Sequence, residues 1–178
     1  MNETSTIDEG FQLVDACVIE NFSFHELDDE MKKGIKNADP TIWPVLASVS
    51  RLYKIWAEEL HARRDHVGII HYGGAFPKAT ALKVVNEIKS NRRVSPVSFI
   101  NANAGAATSI CCTKFGFHGP TINLTMRSAH ARGIAAALAT QWLHKRQAAY
   151  LFLIEANFNG DDGICVTNTL VRSGDKAS

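Results

Sequence analysis

Chemistry in this sequence has to come from four cysteines, seven histidines and a few charged clusters. Cys17, Cys111, Cys112 and Cys165 form no Cys-x-x-Cys pair and keep no ligand spacing with a histidine. Cys111 and Cys112 are neighbours on a predicted helix, where adjacent side chains diverge, so a bridge between them is not expected. All four read as small, buried, reduced thiols. His66, His71 and His118 include no i,i+4 helical pair, and they read as structural or surface residues. Residues 157–163, NFNGDDG, resemble a calcium loop superficially, but the ordered ligands and the closing glutamate at the twelfth position are missing. That segment reads as a turn. Arg92 and Arg93, with Lys89 nearby, make a small basic patch. None of these groups implies a metal or a cofactor.

The charge balance narrows the partners. Lys and Arg number 19 against 18 Asp and Glu, a net charge of +1, so there is no global basic field for nucleic acid or a membrane surface. With 46% hydrophobic and 21% charged residues, the composition is that of a globular domain. The first ten residues, MNETSTIDEG, lack the basic-then-apolar order of a signal peptide. No apolar run approaches the ~18 residues that span a bilayer. The cytoplasm is the expected location.

The elements alternate. Residues 11–19 are β-rich, with VDACVI as a first strand. Residues 41–44 open a helix with Pro44 in the first turn, where its missing N–H costs nothing. Val45, Leu46, Val49, Leu52, Tyr53, Trp56 and Leu60 then give one apolar face, and the helix ends at the cationic 61–64. Residues 67–72 (VGIIHY) read as a buried strand. A helix over 78–91 carries Ala81, Leu82, Val85 and Ile88 on one side, and a helix of small residues runs to about Lys114. A short strand over 122–125 precedes a helix over 129–145. The continuous apolar run 149–155 (AYLFLIE) has the pattern of a strand buried on both faces, and a last strand covers 164–170. Strands alternating with helices argue for an α/β layered domain with a mixed, mainly parallel sheet. A single domain is expected over 11–171, between flexible ends at 1–10 and 172–178.

The segment 95–143 contains SPVSF, NANAGAATSI, GFHGPTINLT and SAHARGIAAALATQWL in that order. This resembles the β-ketoacyl synthase pattern, in which an Asn-x-x-Ala-Gly-type helix leads to Gly-x-x-Gly-Pro, a short strand, and a sharp turn into an alanine-rich helix. Asn103, Ala104, Gly105, Gly116, Gly119 and Pro120 match it. The chain is similar to the short, chain-length-factor-like subunits of aryl polyene and related type II polyketide synthases, which share the SPxxF and NAxAG runs and a strand like GIIHYG. The resemblance implies a thiolase-like half-fold, layered α-β-α.

It also implies where the chemistry has gone. By the resemblance, the family's nucleophilic cysteine falls at Ser128, and its two catalytic histidines lie beyond residue 178. The Gly-Gly usual after the buried strand is replaced by Glu155-Ala156-Asn157. A nucleophilic Ser128 needs a base within hydrogen-bond reach, yet His130 is two residues on and faces elsewhere on a helix. Ser128 therefore reads as an N-cap or first-turn residue that satisfies a free N–H. The implied role is a non-catalytic chain-length-factor-like subunit paired with an active β-ketoacyl synthase, or with a second copy of itself. The Arg92–Arg93 patch reads as a solvated face, with a transient contact to an acidic acyl carrier protein as the alternative. The alternative is a Ser128-dependent acyltransferase or malonyl decarboxylase of the same fold. By the resemblance, the strand Ile122, Asn123, Leu124 and Thr125 lies at the subunit interface. A half-fold would leave the apolar face of AAALATQWL or AYLFLI partly uncovered.

Overall fold

A computed structural model describes residues 10–90, 92–160 and 163–174. Five strands form one sheet: β1 (Phe11–Ile19), β2 (Val67–Gly73), β3 (Thr121–Leu124), β4 (Tyr150–Asn159) and β5 (Gly163–Ser173). The helices are α1 (Asp29–Lys32), α2 (Ile42–Ile55), α3 (Ala57–Ala62), α4 (Lys78–Lys89), α5 (Pro96–Asn101), α6 (Ala106–Phe115) and α7 (Ser128–His144). The sheet order is β1-β5-β4-β2-β3. β2 runs parallel to both β4 and β3, while β5 is antiparallel to β4 and β1, so the sheet is mixed.

The parallel β2–β4 pair is central and buried, as its unbroken apolar runs require. Alternation along the strands splits the core in two. Val67, Ile69, Phe152 and Ile154 face α2 and α6, where the larger cluster sits. Ile70, Leu151 and Leu124 face α7 and meet Ala131, Ala135, Ala139 and Leu143, spaced every fourth residue. The alanines let α7 lie close to the sheet. Its other side stays open: Ala137 and Ile134 are exposed. The apolar 149–154 segment, by contrast, is covered on both faces, so of the two stretches expected to lack cover only α7 does.

Local chemistry explains several element ends. Gly116 closes α6 in a left-handed conformation, φ 68°, which a glycine adopts without a Cβ penalty. Gly119 lies so close to β2 that a Cβ would sit 2.5 Å from the Val67 carbonyl oxygen. The long helix expected over 41–64 breaks at Trp56, whose indole N–H donates to Asp15 Oδ2 at 3.0 Å, so α3 is a separate turn and a half. The buried carboxylate of Asp39 accepts from the Thr41 N–H (3.0 Å), the Thr41 hydroxyl (2.8 Å) and the Thr80 N–H (2.8 Å), joining the starts of α2 and α4.

Two boundaries differ from the sequence reading, and a third lies outside what the structure describes. The turn expected over 157–163 is shorter, because β4 continues to Asn159 and pairs there with Gly163. β5 extends to Ser173, so Arg172 and Ser173 belong to the sheet, paired with Gln12 and Phe11. The expected flexible stretch 1–10 falls, except for Gly10, outside the described residues. Gly119→Ala should lower unfolding stability by about 1–3 kcal/mol, the usual cost of forcing an extra carbon into a packed site. Urea denaturation measures this, and an unchanged midpoint would show that the approach of Gly119 to β2 does not constrain the fold.

Candidate functional site

The carboxyl ends of parallel strands are where open α/β sheets place their sites. Here those ends carry Tyr72 on β2 and Glu155 and Asn157 on β4, all on the α7 side by alternation. The first turn and a half of α7 contributes Ser128 and Arg132, one helical turn apart and on one face. The five side chains form one polar cluster.

Its hydrogen bonds fix one another in sequence. The Gly74 N–H donates to Asn157 Oδ1 at 3.1 Å, which turns the amide so that Nδ2 donates to Ser128 Oγ (2.8 Å) and to Glu155 Oε1 (3.1 Å). Arg132 grips both Glu155 oxygens, at 3.2 and 3.1 Å. Burial pushes the Glu155 carboxyl up, but hydrogen bonds from Ser128, Arg132 and Asn157 outweigh it and hold the group below its ordinary value. Burial first, then the Glu155 charge, pushes the Tyr72 phenol up to about 12, so it stays a neutral donor.

This arrangement is poor acyl-transfer chemistry. Ser128 Oγ accepts the Asn157 N–H and lies 3.0 Å from Asn157 Oδ1 as a donor, so the partner at its proton is an amide oxygen, which is too weak a base to activate a nucleophile. The adjacent carboxylate is depressed below its usual range, whereas an effective general base sits near the working pH. His130 is exposed two residues along α7, and His144 lies 16 residues on, about 24 Å at 1.5 Å per residue. Ser128 is thus a first-turn residue, as expected. It is not a cap, however: Arg127 holds that position, and the Ser128 hydroxyl bonds to Asn157 rather than to a free backbone N–H.

The thiols offer no substitute. Burial pushes Cys111, Cys17 and Cys112 up, away from the thiolate form. All four cysteines are free. Among the described residues, no three His, Cys, Asp or Glu are placed to hold a metal, and no helix is long and apolar enough to cross a membrane.

The expected interface residues come together on β3 and just past it. β3 pairs only with β2, so within the described sheet its other edge is open. Ile122 and Leu124 turn toward α7, Leu124 being buried, and Thr125 follows the strand in an exposed position. Asn123 turns the other way. Its Oδ1 receives His71 Nδ1 at 3.2 Å, and its Nδ2 donates to Thr108 Oγ1 at 3.2 Å, tying the edge strand to β2 and α6. His71 is fully buried beside Phe76, and burial drives its imidazole down to about 4. The Asn123 contact opposes that shift without cancelling it.

Sequence reasoning missed Tyr72, Arg132, Glu155 and Asn157. The replacement of Gly-Gly by Glu155-Ala156-Asn157 was the available signal, since two polar residues at alternate strand positions share a face.

No family model matches the chain, and no curated protein matches it. Solved structures do. The ishigamide ketosynthase/chain length factor superposes with a TM-score of 0.66 at 15% identity, covering 82% of this chain and 47% of that one. A ketosynthase in complex with its chain length factor from Xenorhabdus doucetiae gives 0.63 at 9% identity, covering 93% and 79%. A ketosynthase from module 1 of the bacillaene synthase of Bacillus amyloliquefaciens gives 0.52 at 15% identity, covering 77% and 28%. The chain therefore has the thiolase-like fold of ketosynthases and chain length factors. It spans about half the length of the ishigamide protein chain it matches.

His71 makes a pH prediction. Its folded value is depressed from 6.5 to about 4, so the unfolded chain binds the extra proton between those values. The neutral ring's contribution is complete above pH 6.5 and is lost as pH falls through 4, by about 3 kcal/mol. Urea titrations from pH 7 to 4 should show that fall in the wild type, and His71→Leu should lack the His71 part of the slope. Equal slopes would contradict the buried neutral ring.

Proposed function

We propose that the chain is a non-catalytic, chain-length-factor-like subunit that pairs with an active β-ketoacyl synthase during elongation of a polyketide or polyene chain. The observation that carries this reading is the state of the nucleophile position. Ser128 stands at the start of α7, at the carboxyl ends of the parallel strands, and its oxygen is held by Asn157 beside a carboxylate that hydrogen bonds from Ser128, Arg132 and Asn157 hold ionised. A fold of ketosynthase type with that position tied down keeps the scaffold and gives up the acyl-transfer step. Two structural neighbours, each a ketosynthase with a chain length factor, support the pairing.

The open edge of β3 supports the assembly. A strand with one free edge is a template for pairing, and here it ends at the turn into α7. The partner's β3-equivalent strand adds to this edge, and the two subunits together line the space that holds the growing chain. An acyl carrier protein delivers that chain, its acidic surface meeting the Arg92–Arg93 patch.

Ser128→Ala should leave the elongation activity of the assembled synthase within a few-fold. Removing an activated serine costs several orders of magnitude, so a loss of that size, or an acyl-Ser128 adduct found by mass spectrometry during turnover, would establish the acyltransferase alternative. Leu124→Pro, which removes a strand N–H, and Thr125→Lys, which puts an unpaired charge beside the edge, should each abolish co-purification with the ketosynthase. Soluble variants that still co-purify and elongate would show that β3 is not the interface.

A further inference from the structure

The net charge of +1 is unevenly spread along the chain. The segments 61–66, 116–120 and 144–149 lead into β2, β3 and β4. Eight of their 17 residues are Lys, Arg or His, against 26 of 178 in the whole chain, so cationic groups are concentrated there about threefold. Because the three strands are parallel, all three segments lie at their amino ends, opposite the Ser128 cluster. Backbone hydrogen bonds stitch the segments together. The Arg64 carbonyl accepts from the His118 N–H at 3.0 Å, the Val67 carbonyl from Gly119 at 3.0 Å, and the His66 carbonyl from Ala149 at 2.7 Å. Arg63, Arg64, Lys145 and Arg146 stand exposed on this platform, and so do His66 and His118.

This charge is uncompensated. The ion pairs among the described residues use Lys32, Lys33, Arg51, Lys54 and Arg132, none of them here. Asp65 is the one carboxylate of the three segments, so four fixed cations leave this end at +3 and the rest of the chain at −2. Helix dipoles explain part of it, since a cation near a helix carboxyl end is favourable and α3 and α7 both end here. They do not explain Arg146. It follows the C-cap of α7 at φ 58°, the left-handed position where glycine is usual, with its N–H bonded to the Leu143 carbonyl. A side chain strains that conformation, yet an arginine is kept there, and strain retained at an exposed charge points to a use for the charge.

Shape selects among anionic partners. All three connections are short, so this end of the sheet is blunt. The cavities of about 490 and 240 Å³ lie beside α4 and α5 and are lined by none of these residues. A small anion or a peptide is held in a concave site, and single-stranded nucleic acid stacks on exposed aromatic rings. The one aromatic residue of the three segments, Phe117, is buried. A blunt array of cations on a chain that is otherwise net negative fits an anionic plane, which attracts Lys and Arg at close range and orients the molecule. We propose that the amino ends of β2, β3 and β4 form a surface that seats the protein on an anionic lipid bilayer, with the Ser128 cluster turned away from the lipid. The surface is independent of the pairing proposed above, because the β3 edge runs along the side of the sheet and this face lies at its end.

The test floats the full chain with vesicles of phosphatidylcholine alone and of phosphatidylcholine mixed equally with phosphatidylserine. Binding to the mixed vesicles is expected at about 0.05 M NaCl, with none to phosphatidylcholine and with loss at about 0.5 M, where screening is strong. Arg63→Gln combined with Arg146→Gly should weaken partition at least tenfold, since each cation near such a surface is worth about 1 kcal/mol, roughly fivefold. The melting temperature of that variant should not fall, because glycine accepts the left-handed position without strain. Lys83→Gln combined with Lys89→Gln makes the same charge change on α4 and should leave partition within about twofold. A wild-type chain that ignores the mixed vesicles overturns the proposal. So does equal loss in the α4 variant, which would mean that total charge and not this face governs binding. Tighter binding to duplex DNA than to the mixed vesicles at the same salt would assign the face to nucleic acid and overturn it too.

Discussion

The structure turns on the grip of Arg132 on Glu155. One residue comes from α7 and the other from the central strand β4, and both Glu155 oxygens are engaged at 3.1–3.2 Å. Exposed ion pairs contribute little to stability, and Arg132 is 65% exposed, so the value of this contact lies in placement rather than energy. It fixes the first turn of α7 over the carboxyl ends of β2 and β4. The alanine line at Ala131, Ala135 and Ala139 sets how closely the helix can approach. Once α7 is fixed, Ser128 must fall beside Asn157, and the short β3 must end where α7 begins. The position that the ketosynthase resemblance assigns to a nucleophile becomes a joint between helix and sheet.

The same economy explains the open surfaces. α7 spends one face on the sheet and leaves Ile134 and Ala137 outside, while β3 has, among the described residues, one neighbour and one free edge. On the opposite layer, α4 and α5 are anchored by Asp39 and Asn101 with their apolar residues outward. Polar groups hold these helices down and apolar groups stay available. That division suits a subunit whose remaining hydrophobic burial takes place against another protein.

Periodicity made most of the scaffold legible. The i, i+3, i+4 spacing of Val45, Leu46, Val49 and Leu52 located α2, and the unbroken apolar run 149–155 located the central strand, since both patterns are set by local backbone geometry. The Gly119-Pro120 turn pointed to β3 and to the start of α7. The site was less legible. Asn157 sits among Asn, Asp and Gly, whose turn propensity reads as loop, but pairing with β5 extends β4 through it. Only that pairing puts Asn157 on one face with Glu155. That α4 turns Leu82, Val85 and Ile88 outward was illegible for a related reason. Periodicity finds an apolar stripe, but contacts far away in sequence, here Asp39 with Thr80, decide which side meets the core.

Amide hydrogen exchange across β3 tests the central claim most directly. Thr121, Ile122, Asn123 and Leu124 are bonded to β2 on one side in the free chain, and the proposed pairing bonds them on both sides in a complex with a ketosynthase. Amides of β3 that point away from β2 should exchange rapidly in the free protein and become strongly protected when the ketosynthase binds. β1 forms the other edge of the sheet and should show no change. A complex in which β3 exchanges as fast as in the free chain would contradict pairing through β3.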